Sequence, residues 1–252
     1  MKRFKELKNE ALDSLKGKWR NVIALSIVVP FILVVIISIV TFILLSTVPT
    51  EYYSNDYGNS TEDFIASLPT MTIFLYYLIV FIGSVSAIVI SFNIVYSTYK
   101  DIFTGKKEKA DIFADALTVF RNGYLTKLII LTIQYMLLIF AWSLLFYIPG
   151  IIKSFSYSQA FFIFKDKMDK GEDFKPIDCI TESRKMMDGY KANYFLLNFS
   201  FIGWIILGFV SLGIAMLWIE PYMNMTTVAY YENLKEVHYG NKSESISINI
   251  EV

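Results

Sequence analysis

The sequence predicts an all-α membrane protein: six transmembrane helices as three hairpins, each preceded by a short cytoplasmic amphipathic helix. Three observations lead there. Apolar residues make up 55% of the 252-residue chain and charged residues 18%, where a soluble domain carries about 25% charged residues. The apolar residues lie in blocks of roughly twenty or roughly forty, one or two times the length of a helix that crosses a bilayer core. Lys and Arg gather in some of the connections between blocks and are absent from others.

The chain begins with a basic segment. Residues 1–20 hold seven basic and three acidic side chains, and Phe4, Leu7, Ala11, Leu12, Leu15 and Trp19 recur at three- and four-residue spacing. That stripe predicts a basic amphipathic helix lying in the membrane interface; the alternative is a plain charged lead-in to the first span. The segment does not have the short apolar region and cleavage site of a signal peptide. Span one follows from about Val22 to Ser46. Residues 47–69 carry Glu51, Asp56, Glu62 and Asp63 and no Lys or Arg. Span two runs from about Thr70 to Thr98, with a small-residue patch at Gly83, Ser84, Ser86 and Ala87 suited to close helix packing.

Residues 99–123 are polar and contain a second amphipathic stripe, Ile112, Phe113, Ala116, Leu117, Phe120 and Tyr124. The apolar stretch from Tyr124 to Phe164 is too long for one span and predicts a hairpin. Residues 165–192 return to charge, and Pro176 opens a third short helix with proline in its first turn. A second stretch of hairpin length, about Asn193 to Tyr231, leads into a polar tail. The expected organisation is one membrane domain, residues 1–232, and a flexible cytoplasmic tail over 233–252.

Charge sets the orientation. The N-terminus has seven Lys and Arg, residues 99–127 six, residues 165–191 seven and the tail two; the 47–69 loop and the turn near Ser211-Leu212-Gly213 have none. The positive-inside rule then places both termini and both basic connections in the cytoplasm.

The three lead-ins resemble one another. ALDSLKGKWRNVIAL from Ala11, ALTVFRNGYLTKLIIL from Ala116 and CITESRKMMDGYKANYFLL from Cys179 each put a glycine and an aromatic residue between a short basic helix and a span. This suggests three repeats, 1–98, 99–164 and 165–232. Convergence is the alternative, since any basic helix meeting a bilayer gains from an interfacial aromatic residue. Trp19, Tyr124, Arg184, Lys185 and Tyr190 are the residues expected at the interface. At an offset of 72, FAWSLLFYIPGIIKSFSYS lies over LGIAMLWIEPYMNMTTVAY, pairing Pro149 with Pro221. On that match the helix breakers Pro149, Gly150 and Pro221 mark kinks, and the outer turn of the second hairpin lies near Ala141-Trp142-Ser143. The other placement puts that turn at Pro149-Gly150.

Lys153 and Glu220 are the charges inside the predicted spans. A lysine at mid-membrane costs roughly 2.5–3.5 kcal/mol on insertion scales and calls for a partner, and Glu220 is the carboxylate available. The functional expectation is a polar pocket between the last two hairpins, holding Lys153, Glu220, Ser154, Ser156, Ser158 and Asn224. The structural expectation is a plain ion pair, or a lysine snorkelling to an interface. No catalytic residue is indicated: no histidine falls in a span and no nucleophile elbow is present. One Cys and one His exclude an intrachain disulfide and disfavour a metal centre, and no cofactor motif appears. The basic connections suit anionic lipid headgroups rather than nucleic acid.

Leu15-Lys16-Gly17-Lys18-Trp19, IPGIIKSFSYS, Ser183-Arg184-Lys185-Met186-Met187-x-Gly189 and FIGW…LGIAMLWIEPY resemble, in order, blocks of the bacterial integral membrane family of unknown function numbered 975. The IPG and SRKMMxG blocks are also similar, more distantly, to the membrane domain fused to some bacterial glycerophosphodiester phosphodiesterases. The chain lacks the catalytic domain of those fusions, so the resemblance brings no hydrolase activity. It implies a multi-pass protein of the bacterial plasma membrane. Two non-enzymatic roles follow as expectations. One is binding or passage of a small or lipidic ligand through the pocket. The other is a scaffold or accessory protein for transport or envelope stress, partnered by lipid, another membrane protein or further copies of itself.

Overall fold

The computed structural model describes residues 1–46, 70–106 and 123–250, and every element within them is helical. In chain order these are α1 (Phe4–Leu15), α2 (Trp19–Ser46), α3 (Thr70–Ser91), a π-helical stretch (Phe92–Tyr99), α4 (Lys100–Phe103), α5 (Leu125–Leu145), α6 (Tyr147–Tyr157), α7 (Ala160–Asp169), α8 (Pro176–Met186), α9 (Lys191–Phe199), α10 (Ile202–Val210) and α11 (Met216–Ile250). The acidic 47–69 loop and most of the second amphipathic segment lie outside the described residues. The chain divides into two compact units. Residues 28–88 form one and carry most of α2 and α3; the rest forms the other, which holds everything described below.

Two helical stretches, Leu125–Leu145 and Lys191–Val210, are long and apolar enough to cross a membrane. The first is α5, which turns back into α6 through a single extended residue, Phe146 (φ −159°, ψ 143°). α6 lies closely on α5, and Gly150 is where they touch. A Cβ there would meet Ser143, 3.1 Å from its Cα and 3.2 Å from its Cβ. The second stretch, α9 and α10, turns into α11 through Leu212 and Gly213, at φ +53° and +88°.

This corrects the placement of Pro149. The turn between α5 and α6 is at Phe146, neither near Trp142 nor at Pro149-Gly150, and Pro149 sits in the first turn of α6 rather than at a kink. Phe146 and Gly213 are 67 residues apart, and so are Lys153 and Glu220. The offset of 72, which paired the prolines, is out of register with the turns by five residues. Pro221 lies inside α11, buried and in its second turn.

The two described amphipathic helices, α1 and α8, each pack one face against protein. α1 packs along α11, with Leu7, Ala11 and Leu15 fully buried, each leucine contributing about 1.5–3 kcal/mol of apolar burial. The Lys2 amide donates to Asn233 Oδ1 (2.9 Å), and Lys8 Nζ lies 4.0 Å from the Phe201 ring centre. Three residues of the expected interfacial stripe therefore make an intramolecular contact, while Leu12 is exposed and Phe4 and Trp19 are half-buried. α8 begins as the sequence predicts, with Pro176 at its start and the Lys175 amide donating to Asp178. It buries Cys179, Ile180, Ser183 and Met186 against α5, α6 and α7.

The three lead-ins share one backbone geometry. Gly17, Gly123 and Gly189 all take left-handed conformations, φ +75°, +70° and +79°, where a side chain costs roughly 1–2 kcal/mol. A helix starts two residues after each, at Trp19, Leu125 and Lys191. At the other end of the chain the helix continues past Glu232, where a flexible tail is expected. Asn233 and Leu234 are buried, and α11 runs to Ile250.

Candidate functional site

Three helical limbs, the π-helical stretch with α4, α7, and α11, meet in an aromatic layer. Tyr96 lies against Phe161 and Phe162, and Phe162 stacks on Tyr231 with ring centres 4.9 Å apart. At this level each limb carries an aromatic residue followed by two polar ones: Tyr99-Lys100-Asp101, Phe164-Lys165-Asp166 and Tyr231-Glu232-Asn233. The π-helical stretch delivers the first triplet into the interior, with Tyr99, Lys100, Asp101 and Ile102 all buried. Wide π turns of this kind concentrate at functional positions.

These triplets hold one another. Lys100, 2% exposed, is hydrogen-bonded to Asp166, and Lys165, 4% exposed, to Asp169. Asp101 Oδ1 and Glu232 Oε1 are buried without a hydrogen-bond donor among the described residues. They face Lys165 Nζ at 3.4 Å and Lys100 Nζ at 3.8 Å. The Tyr231 hydroxyl donates to Asp166 Oδ2 (2.5 Å), and Lys235 Nζ reaches the same oxygen at 3.4 Å. Lys106 adds a 2.9 Å bond to Asp169.

The electrostatics follow from this geometry. Burial alone would raise the Asp166 carboxyl, but Lys100, by charge and hydrogen bond, and the Tyr231 hydroxyl hold it below the usual carboxylate range. Asp169 is likewise lowered, against its burial, by Lys165 and Lys106. Lys100 is pulled down by burial, with Asp166 and Glu232 opposing. Close charge pairs out of water interact far more strongly than exposed ones, and a buried charge that loses its partner costs about 3–5 kcal/mol. The network joins α4, α7 and α11.

A cavity of about 330 Å³ lies beside it. Three carboxylates (Asp166, Glu172, Glu182) and three lysines (Lys167, Lys170, Lys235) line it, with the Tyr231 and Tyr239 hydroxyls. Glu182 accepts from the Tyr239 hydroxyl and pairs with Lys167 at 3.2 Å. Glu172 is held loosely, 3.7 Å from Lys170 and 3.8 Å from Lys167.

The residues nominated from the sequence lie elsewhere. Lys153 Nζ sits 4.4 Å from the centre of the Trp142 ring, a cation–π contact. No ion pair joins it to Glu220 among the described residues, and Glu220 is exposed. The two occupy equivalent positions, seven residues beyond Phe146 and Gly213, on successive hairpins. The serine hydroxyls turn back on their own helix: Ser154 donates to the Ile151 carbonyl, Ser156 to Ile152 and Ser158 to Phe155. Asn224 is half-buried on α11. Of the residues expected at an interface, Arg184 and Lys185 are exposed on the last turn of α8, and Trp19 is half-buried at the start of α2. Tyr124 stacks on Phe174, and the Tyr190 carbonyl accepts from the Tyr230 hydroxyl.

Ser183 has a definite task. Its hydroxyl donates to the Ser156 carbonyl (2.9 Å) and accepts from the Gln159 amide (3.1 Å), bridging the break between α6 and α7 that would otherwise leave buried backbone groups unpaired. The residues missed from the sequence are the three polar triplets. Their signal was present: the aromatic residues that open them recur at intervals of 65 and 67, close to the 66 between Gly123 and Gly189.

A model of the family described as protein of unknown function (DUF975) matches residues 50–238. No curated protein and no solved structure matches the chain.

Proposed function

The chain belongs to the DUF975 family of unknown function, and we propose that it is a non-enzymatic, six-span scaffold of the bacterial plasma membrane. Its three hairpins are locked together at their cytoplasmic end by the buried ion network, and both termini face the cytoplasm. Its partners are membrane lipids and either another membrane protein or further copies of the chain.

One observation carries this reading: the polarity of the molecule is inverted. Leu137, Phe140, Leu144, Phe146, Phe209, Val210 and Leu212 are each more than 60% exposed, while Lys100 and Lys165 are buried. In water that much exposed apolar side chain is a liability; in lipid it is the expected exterior of a spanning helix. A scaffold is favoured over a passage because Lys153 rests on Trp142 and the serine hydroxyls are satisfied within α6. Neither Lys153 nor the serine edge offers a free polar path between the last two hairpins. Ligand binding is the second reading, and the cavity beside the ion network favours it at that end.

Cysteine accessibility tests the arrangement. In a Cys179→Ser background, single cysteines at Asn59, Phe146 and Leu212 label with a membrane-impermeant maleimide in intact cells. Cysteines at Lys106, Asp173 and Gly240 label only after permeabilisation. Protection at position 59, or labelling at position 240 in intact cells, removes the six-span reading.

A further inference from the structure

We propose that the cavity beside the ion network binds a small zwitterion bearing a phosphate and an ammonium group, of the phosphoethanolamine class. Three features lead to this chemistry. First, the lining is balanced, three lysines against three carboxylates. Asp166 and Glu182 already carry cationic partners, so the charges open to a ligand are one of each sign, Lys170 and Glu172, and a ligand carrying both charges answers both. Second, the lining is tight on one side and loose on the other. Asp166 is fixed by Lys100, Tyr231 and Lys235, and Glu182 by Lys167 and Tyr239. Lys170 and Glu172 are 3.7 Å apart, beyond hydrogen-bonding distance. Lys170 therefore has a charge partner but no acceptor, and its side chain is 68% exposed. Third, a volume of about 330 Å³ falls at the small end of the roughly 300–1,000 Å³ range of ligand pockets, suited to a headgroup rather than a larger metabolite.

In the bound arrangement Lys170 donates to the phosphate, which suits a point-charge ammonium partner, Lys167 keeps its 3.2 Å pair with Glu182 and adds its charge nearby, and Glu172 takes the ligand's ammonium. The loose Lys170–Glu172 pair is thus exchanged for two tighter charge-assisted bonds. The same group exists free in water or as a lipid headgroup, and the site's chemistry is common to both. The inference rests on the cavity alone and does not require the six-span arrangement.

The test uses the full chain purified in a phosphate-free, non-ionic detergent. Glycerophosphoethanolamine, glycerol 3-phosphate and ethanolamine are titrated separately by calorimetry, and nanodiscs of phosphatidylethanolamine or phosphatidylglycerol are compared as competitors. Glycerophosphoethanolamine is expected to saturate the protein, with the two half-ligands binding at least tenfold more weakly. Lys170→Ala and Glu172→Gln, both on the exposed edge, are each expected to weaken binding at least tenfold while leaving the ligand-free melting temperature unchanged. Competition by phosphatidylethanolamine nanodiscs assigns the site to a lipid headgroup, and its absence assigns it to a soluble zwitterion. The proposal is overturned if glycerophosphoethanolamine fails to bind at millimolar concentration and phosphatidylethanolamine nanodiscs do not bind either. It is also overturned if glycerol 3-phosphate binds equally well, or if the two variants bind like the parent.

Discussion

Lys100 and Asp166 show why a lysine can end up more buried than most leucines. Neither charge is stable alone in the interior, and each is stabilised by partners from other helices, Lys100 by Asp166 and Glu232 and Asp166 by Lys100 and Lys235. Asp166 and Asp169 have folded-state values below their unfolded value of about 3.9. Their stabilisation is therefore fully present above that pH and is lost as pH falls through the lower folded values. Melting temperature in detergent is expected to stay level from pH 7 to about 5 and to drop below about pH 4. Cys179, fully buried, has its thiol pushed up to about 12 by burial. It should resist iodoacetamide at pH 8 in the folded protein and react at once in denaturant. Lys153 and Glu220 were legible as odd residues in an apolar run, and their chemistry suggested a pair. Their positions on successive hairpins are equivalent, and no ion pair joins them. Lys153→Met and Glu220→Gln should accordingly have additive effects on melting, within about 0.5 kcal/mol.

At the scale of elements, the left-handed glycines and the α5–α6 contact bear the geometry. Alanine at Gly17, Gly123 or Gly189 should cost about 1–2 kcal/mol, similar at all three because the backbone is the same. Alanine at Gly150 meets Ser143 on a neighbouring helix and should cost about 1–3 kcal/mol by overpacking, with part of the loss recovered on adding Ser143→Gly. Thermal melts of the purified variants check both. The glycine-aromatic junctions were visible in the sequence because a left-handed residue leaves a compositional mark. The turn at Phe146 was not, because a single extended residue leaves none, and the prolines nearby suggested a register five residues out. Periodicity likewise revealed the apolar stripe of α1 but not what covers it, since a bilayer and the side of α11 present the same apolar surface to Leu7 and Leu15.

For the whole molecule, the alternation of apolar blocks and charged connections made the helical class legible, together with the two stretches, Leu125–Leu145 and Lys191–Val210, that are long enough to span. It also directed attention to charges within the spans and away from those at their ends, where lysines are ordinary. Only the convergence of three limbs turns Lys100, Lys165 and Asp166 from solvated flanks into a buried lock. That lock is the centre of the account, and a double-mutant cycle on Lys100 and Asp166 addresses it directly. Lys100→Met and Asp166→Asn are made singly and together, and unfolding is followed in detergent at neutral pH. Each single variant leaves a buried charge with one partner fewer, so the double variant should be more stable than the sum of the single losses predicts, by at least 1 kcal/mol in coupling. Additive losses, within about 0.5 kcal/mol, would mean that the two residues do not hold α4 and α7 together.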